Sequence, residues 1–185
     1  MSEENPWKTL SSEIKYENPW IRVTESKVIN PAGNDGIYGV VHFKNNAVAV
    51  IPLDEENNTW LVGQYRYTLN SYEWEVPEGG SPEGEDPIQT AHRELEEETG
   101  FKATEMKLIL EMQLSNSVSD EVSYSYVARG LTFSGTIPEE TEQLQIKKLP
   151  FEEVYQMALR GEIKDALSVA SIFKLKLMMV NGDVL

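Results

Sequence analysis

Three glutamates stand close together near the middle of the chain: Glu94, Glu97 and Glu98. On a helix, residues spaced i, i+3 and i+4 lie on neighbouring turns of one face. Carboxylates so placed repel one another by roughly 0.2–0.5 kcal/mol per pair. Arg93 can pair with Glu97, which leaves Glu94 and Glu98 without a close helical partner. A local rule broken in this way marks a candidate functional site. The chemistry it suits is the binding of a hard divalent cation such as Mg2+, which prefers clustered carboxylate oxygens.

The neighbouring sequence supplies the element that must hold these acids. Asp86 is a capping residue, and Pro87 at the first helical position gives up no needed N–H. Gly100 suits a left-handed C-terminal position, so the spacing predicts a helix over Pro87–Thr99. Ile88, Ala91 and Leu95 share one face of it, which is read as buried. A lone acidic run on a helix is normally a solvated face. Here the run sits inside a longer pattern with Gly79, Glu85, Arg93, Glu94, Leu95, Glu97, Glu98, Gly100 and Phe101 as fixed points. With ordinary residue frequencies its chance occurrence is on the order of one in a million.

Composition limits the partners. The 185 residues carry a net charge of −15, and 40% are hydrophobic. That balance is globular, with enough chain for one core. The surface charge repels DNA and RNA backbones, which excludes a nucleic-acid polymer as partner. A small diphosphate would also be repelled unless bound cations inverted the local field. The absence of cysteine excludes disulfides and thiolate ligands. The acidic first residues are not a signal peptide, and no apolar run reaches the ~18 residues of a membrane span. The expected location is cytoplasmic.

The rest reads as strands, then helices. Residues 1–17 are polar, an arm or short strand. Strand character over Trp20–Val28, a turn-rich Asn30–Gly36 and a returning Ile37–Phe43 predict an antiparallel hairpin. Further strands are expected at Ala47–Leu53, Trp60–Tyr67, Tyr72–Val76, Lys107–Leu114, Val122–Ala128 and Leu144–Leu149, with a polar loop over Thr132–Glu142. Helices are expected at Phe151–Leu159, stopped by Gly161, and at Ala166–Val180, capped by Asp165. His42 and His92 are read as structural, and Met178 and Met179 as core packing. No repeat or linker divides the sequence. The fold class is a layered α/β (α+β) arrangement in one domain over 1–185, with an arm and hairpin over 1–45 and the acidic loop–helix–loop over 79–101.

The stretch from Gly79 to Phe101 resembles the signature of the Nudix hydrolases at every fixed position. The resemblance implies a mixed β-sheet sandwiched between helices and hydrolysis of a diphosphate linked to another group with Mg2+ or Mn2+. It implies that Glu94 and Glu98 hold the metals, with Glu97 assisting, the carbonyl of Glu78 adding a ligand and Arg93 orienting a glutamate of the cluster. Gln64-Tyr65-Arg66 and Glu75-Val76-Pro77 are similar to the stretches before the signature in ADP-ribose pyrophosphatases and related nucleotide-sugar hydrolases. In that branch the arginine contacts the substrate diphosphate and the glutamate lies near the terminal ribose, here Arg66 and Glu75. The hairpin aromatics Trp20 and Tyr38 match residues that sandwich adenine there, often across a dimer interface, which implies a homodimer. Ser115-Asn116-Ser117-Val118-Ser119-Asp120-Glu121 keeps the acidic end of the branch's later loop but lacks its Pro-Gly, and Glu121 is the general base by position. The implied substrate is ADP-ribose or a similar nucleoside diphosphate sugar, split from ADP-ribose into AMP and ribose 5-phosphate. A different nucleotide sugar such as GDP-mannose is the second reading. A catalytically silent ADP-ribose sensor is the third, set against the intact signature.

Overall fold

The computed structural model describes residues 4–135 and 144–183. The chain divides into two compact units, residues 1–45 with 113–121 and residues 46–112 with 122–185.

The first unit is a three-stranded antiparallel sheet in the order β1-β2-β3, from β1 (Lys8–Glu17), β2 (Ile21–Ile29) and β3 (Asp35–Phe43). The hairpin expected from Trp20 to Phe43 is therefore present. Its neighbour β1 is a full ten-residue strand where an arm or short strand was expected. The register of β1 against β2 shifts at Thr9/Ser11 and again at Ile14/Tyr16. Each slip moves later side chains to the other face, so no clean alternation shows in the sequence.

The second unit holds β4 (Asn45–Pro52), β5 (Asn58–Arg66), β6 (Ser71–Glu75), β7 (Glu78–Pro82), α1 (Pro87–Thr99), β8 (Phe101–Gln113), β9 (Val122–Phe133), β10 (Gln145–Pro150), α2 (Phe151–Leu159) and α3 (Ala166–Asn181). A four-stranded sheet runs β7-β4-β9-β8, and β4 lies parallel to β9. A second, antiparallel sheet runs β10-β5-β6.

Alternation along β9 puts the four-stranded sheet between helices. Successive side chains of a strand point to opposite faces. Tyr126 and Ala128 join Val48 and Val50 of β4 against Ala91 and Leu95 of α1. Ser125 faces the other way, and its hydroxyl lies 2.7 Å from that of Ser171 on α3. Ala91 and Leu95 are fully buried, as the helical spacing predicts. The Val76 N–H donates to Ser168 Oγ of α3 at 3.1 Å, tying the end of β6 to the same helix.

Several boundaries differ from expectation. The opening of the acidic loop is the short strand β7, although Glu78-Gly79-Gly80-Ser81-Pro82 has little strand propensity; the edge of β4 recruits it. β8 begins at Phe101 rather than Lys107, and Phe101 packs on Trp60 with ring centroids 4.7 Å apart. β9 runs on to Phe133, and the remainder of the loop expected up to Glu142 falls largely outside the described residues. No helix among the described residues is long and apolar enough to cross a membrane.

Candidate active site

Helix α1 is set by its two ends. Asp86 accepts the Ile88 N–H at 3.1 Å, and Gly100 closes the helix at φ 73°. With Leu95 turned into the core, Glu94 and Glu98 fall at the rim of a cleft of about 380 Å3. Gln64, Arg66, Glu78, Gly79, Gly80, Arg93, Glu97 and Leu144 complete its lining.

Arg93 joins the helix to the loop before it. Its Nη1 lies 2.7 Å from Glu97 Oε2 and 2.7 Å from Glu94 Oε1. Its Nη2 donates to the Gly80 carbonyl at 3.1 Å, and its Nε lies 3.9 Å from Glu85 Oε1. Partial burial works against its charge, but Glu94 and Glu97 outweigh this and raise its pKa. The expectation that Glu94 lacks a close helical partner is thus corrected, and Glu98 finds a partner off the helix. Glu94 shares Arg93 with Glu97, and Glu98 Oε2 accepts the backbone N–H of Glu78 at 2.9 Å. Spacing along one helix did not show that a single guanidinium reaches two acids, or that β7 offers an amide.

Gly79 is required by contact. A Cβ there would lie 2.0 Å from Glu94 Oε1 and 2.1 Å from its Cδ. The carboxylate occupies the space that any side chain at 79 would take.

Arg66 organises the opposite wall. Its Nε donates to both carboxylate oxygens of Glu75, at 2.9 and 3.0 Å, and its Nη2 donates to Glu78 Oε1 at 2.6 Å. The other oxygen of Glu78, Oε2, is buried with no hydrogen-bond partner. Burial, with the charges of Asp165 and Glu75 added, pushes the Glu78 carboxyl well above the usual range against the pull of Arg66. Sequence reasoning used only the carbonyl of Glu78 and passed over Gln64. Alternation along β5 was an available signal for Gln64, since it shares a face with Arg66.

The donor set fits a divalent cation in type. Four carboxylates and the backbone of two glycines line one cleft, and a buried carboxylate oxygen lacks a partner. Among the described residues no three acidic or histidine side chains converge on one point. Arg66 and Arg93 share most of the acids instead.

The other expected site residues lie in the first unit. Trp20 is 67% exposed, and its carbonyl accepts the Lys44 N–H at 3.0 Å. Tyr38 pairs with Ser26, six positions from Trp20, about 20 Å along the strand at ~3.3 Å per residue. Tyr38 is packed edge-on by Trp7 at 5.3 Å, and its hydroxyl donates to the Ser117 carbonyl. The two rings therefore start from backbone positions well apart along the hairpin. Glu121 follows Asp120 at the end of the segment before β9.

A family model described as the NUDIX domain matches residues 43–170. The chain belongs to the Nudix family. A second model, the nucleoside diphosphate sugar hydrolase N-terminal domain, matches residues 7–41, the span of β1–β3. The chain is 33% identical over 174 residues to an ADP-ribose pyrophosphatase of Mycobacterium tuberculosis, covering 91% of this chain and 83% of that protein. It is 32% identical over 172 residues to a methanol dehydrogenase activator of Bacillus methanolicus, covering 92% of each. A crystal structure of an ADP compounds hydrolase superimposes with a TM-score of 0.86 over 100% of both chains at 21% identity, so the Nudix fold is shared. The mixed sheet and its flanking helices expected from the signature are those of this Nudix chain.

Proposed function

We propose that this Nudix hydrolase splits the diphosphate of ADP-ribose or a similar nucleoside diphosphate sugar with Mg2+ or Mn2+, giving a nucleoside monophosphate and a sugar phosphate. The observation that carries the reading is the cleft, where Glu94, Glu97, Glu98 and Arg93 of the signature helix meet Glu78 and Arg66. Its support is the relatives with ADP-ribose pyrophosphatase activity in their names and the match of the N-terminal sheet to the sugar-hydrolase domain.

Glu94 and Glu98 would hold the cations, with Glu97 beside them and the Glu78 carbonyl as a further ligand. Bound there, a divalent cation supplies neutralisation of the diphosphate oxygens and a lowered pKa for the attacking water. Arg93 orients Glu94 and Glu97 through the contacts described above. Arg66 is the cation aimed at the diphosphate, and Glu75 holds it in place on the way to the terminal ribose. Glu121 is the base that takes the water's proton. EDTA should abolish hydrolysis, and Mg2+ or Mn2+ should restore it, across a panel of ADP-ribose, GDP-mannose, UDP-glucose, NADH and dinucleoside polyphosphates. Full turnover in metal-free buffer would refute the mechanism. Binding without any turnover would identify a sensor, and a preference for GDP-mannose would move the specificity to the sugar.

Trp20 and Tyr38 are proposed to stack the base, each from a different copy of a homodimer. The exposure of Leu10, Ile14 and Tyr16 along β1, and of Trp7 just before it, favours such an assembly, since a three-stranded sheet with its apolar side chains in water is marginal alone. Stacking acts in both ground and transition states, so Trp20→Ala should raise KM by the equivalent of roughly 1–3 kcal/mol and leave kcat nearly unchanged. An unaltered KM in a folded dimer, or a fully active monomer of 21.0 kDa by light scattering, would sink this part of the reading.

A further inference from the structure

The segment from Ser115 to Glu121 is laced onto β3, a strand at the edge of its sheet. The Val41 N–H donates to the Val118 carbonyl at 2.8 Å, and the Asp120 N–H donates to the Val41 carbonyl at 3.4 Å. Tyr38 Oη adds the bond to Ser117, and Val41 and Ser119 form a parallel bridge. Backbone pairing ends with the Asp120 N–H, one residue short of Glu121.

Side chains take over at that point. Both carboxylate oxygens of Asp120 are engaged. Oδ2 lies 2.6 Å from His42 Nδ1, and Oδ1 accepts the Phe43 N–H at 3.2 Å. The other ring nitrogen of His42, Nε2, lies 2.9 Å from Thr24 Oγ1 on β2. The imidazole is thus gripped at both nitrogens, by one strand on one side and by the segment on the other. A carboxylate only accepts, so Nδ1 is the donor of that pair, and the Thr24 hydroxyl can serve Nε2 in either role. A carboxylate held at both oxygens has a fixed orientation, and so has the peptide that leads directly into Glu121.

We infer that His42 is a positioning residue for Glu121, acting through Asp120; this rests on the reading of Glu121 as the base. Thr24, His42 and Asp120 form a hydroxyl–imidazole–carboxylate chain whose last member is the covalent neighbour of the base. A general base displaced by ~1 Å loses on the order of a hundredfold in rate, whereas a substrate held by other residues keeps its affinity. His42 therefore belongs to the chemical step and not to binding.

The test is steady-state kinetics with Mg2+ on the best substrate of the panel, using His42→Ala, His42→Gln, Asp120→Asn, Glu121→Gln and the double variant His42→Ala/Glu121→Gln. His42→Ala should lower kcat by about tenfold to a hundredfold with KM within about twofold. His42→Gln retains a donor and an acceptor and should recover part of the loss. In the Glu121→Gln background, His42→Ala should cost nothing further, because the group it positions is already disabled. Losses that multiply in the double variant would show that His42 acts elsewhere, and a raised KM would place it in binding; either result overturns the inference. If His42→Ala does not fold, the nearly isosteric Asp120→Asn decides by the same criteria. A normal kcat for Glu121→Gln overturns both the base assignment and this inference, while EDTA sensitivity would still stand for the metal reading.

Discussion

Replacing Glu98 by Gln is expected to lower kcat by about a hundredfold or more while the protein stays folded. Glu98 is buried at the cleft, and its Oε2 accepts the amide N–H of Glu78. The amide oxygen of Gln can take over that bond, so local shape and much of the stability persist. What disappears is the charge, and a hard divalent cation binds a carboxylate far better than a carboxamide. The check is kcat at saturating Mg2+ beside a urea unfolding curve of the same preparation. A rate within about twofold of wild type, with unaltered unfolding, would remove Glu98 from the site.

Gly79→Ala should produce a comparable loss by a different route. The new Cβ cannot coexist with the Glu94 carboxylate, which now sits 2.0 Å from where that atom would be. The carboxylate is the far end of a flexible side chain, so it yields and the backbone does not. The expected result is a fall in kcat of about a hundredfold, as for a ligand moved by ~1 Å, with only a modest loss of stability. Gly84→Ala is the control. Nothing lies within 4 Å of a Cβ at Gly84, but its φ of 88° strains an L-residue. That variant should lose about 1 kcal/mol of stability and keep its rate. If Gly79→Ala turns over normally, the seating of Glu94 against the loop is irrelevant to catalysis.

The parts of the site that could be read from sequence are those whose causes are local. Asp86, Pro87 and Gly100 announced both ends of α1, and Ile88, Ala91 and Leu95 announced its buried face, because capping and helical period act over a few residues. β7 stayed hidden because its pairing comes from β4, some thirty residues earlier, against its own propensity. The true partners of Arg66 were invisible for a similar reason. Strand pairing sets Arg66 opposite Ser71 and Glu75 opposite Val62, and Glu78 lies on β7 against β4, so neither acid is the strand neighbour of the guanidinium it meets. His42 was read as merely structural, since its carboxylate partner lies 78 positions away. The family signature announced the cleft acids and was silent on the guanidinium contacts that hold them.

Helix α1 presents Leu95 to the core and Glu94 and Glu98 to the cleft within a single turn. A helix moves as a stiff rod, so its two sides share one position and one tilt. Any loosening beneath Ala91 or Leu95 therefore swings both acids together, by an amount set at the far side of the rod. The cleft has no private adjustment. Heat, denaturant or a cavity beneath the helix will be felt as lost turnover before it is seen as lost secondary structure, and the Nudix helix serves as the lever that converts packing quality into rate.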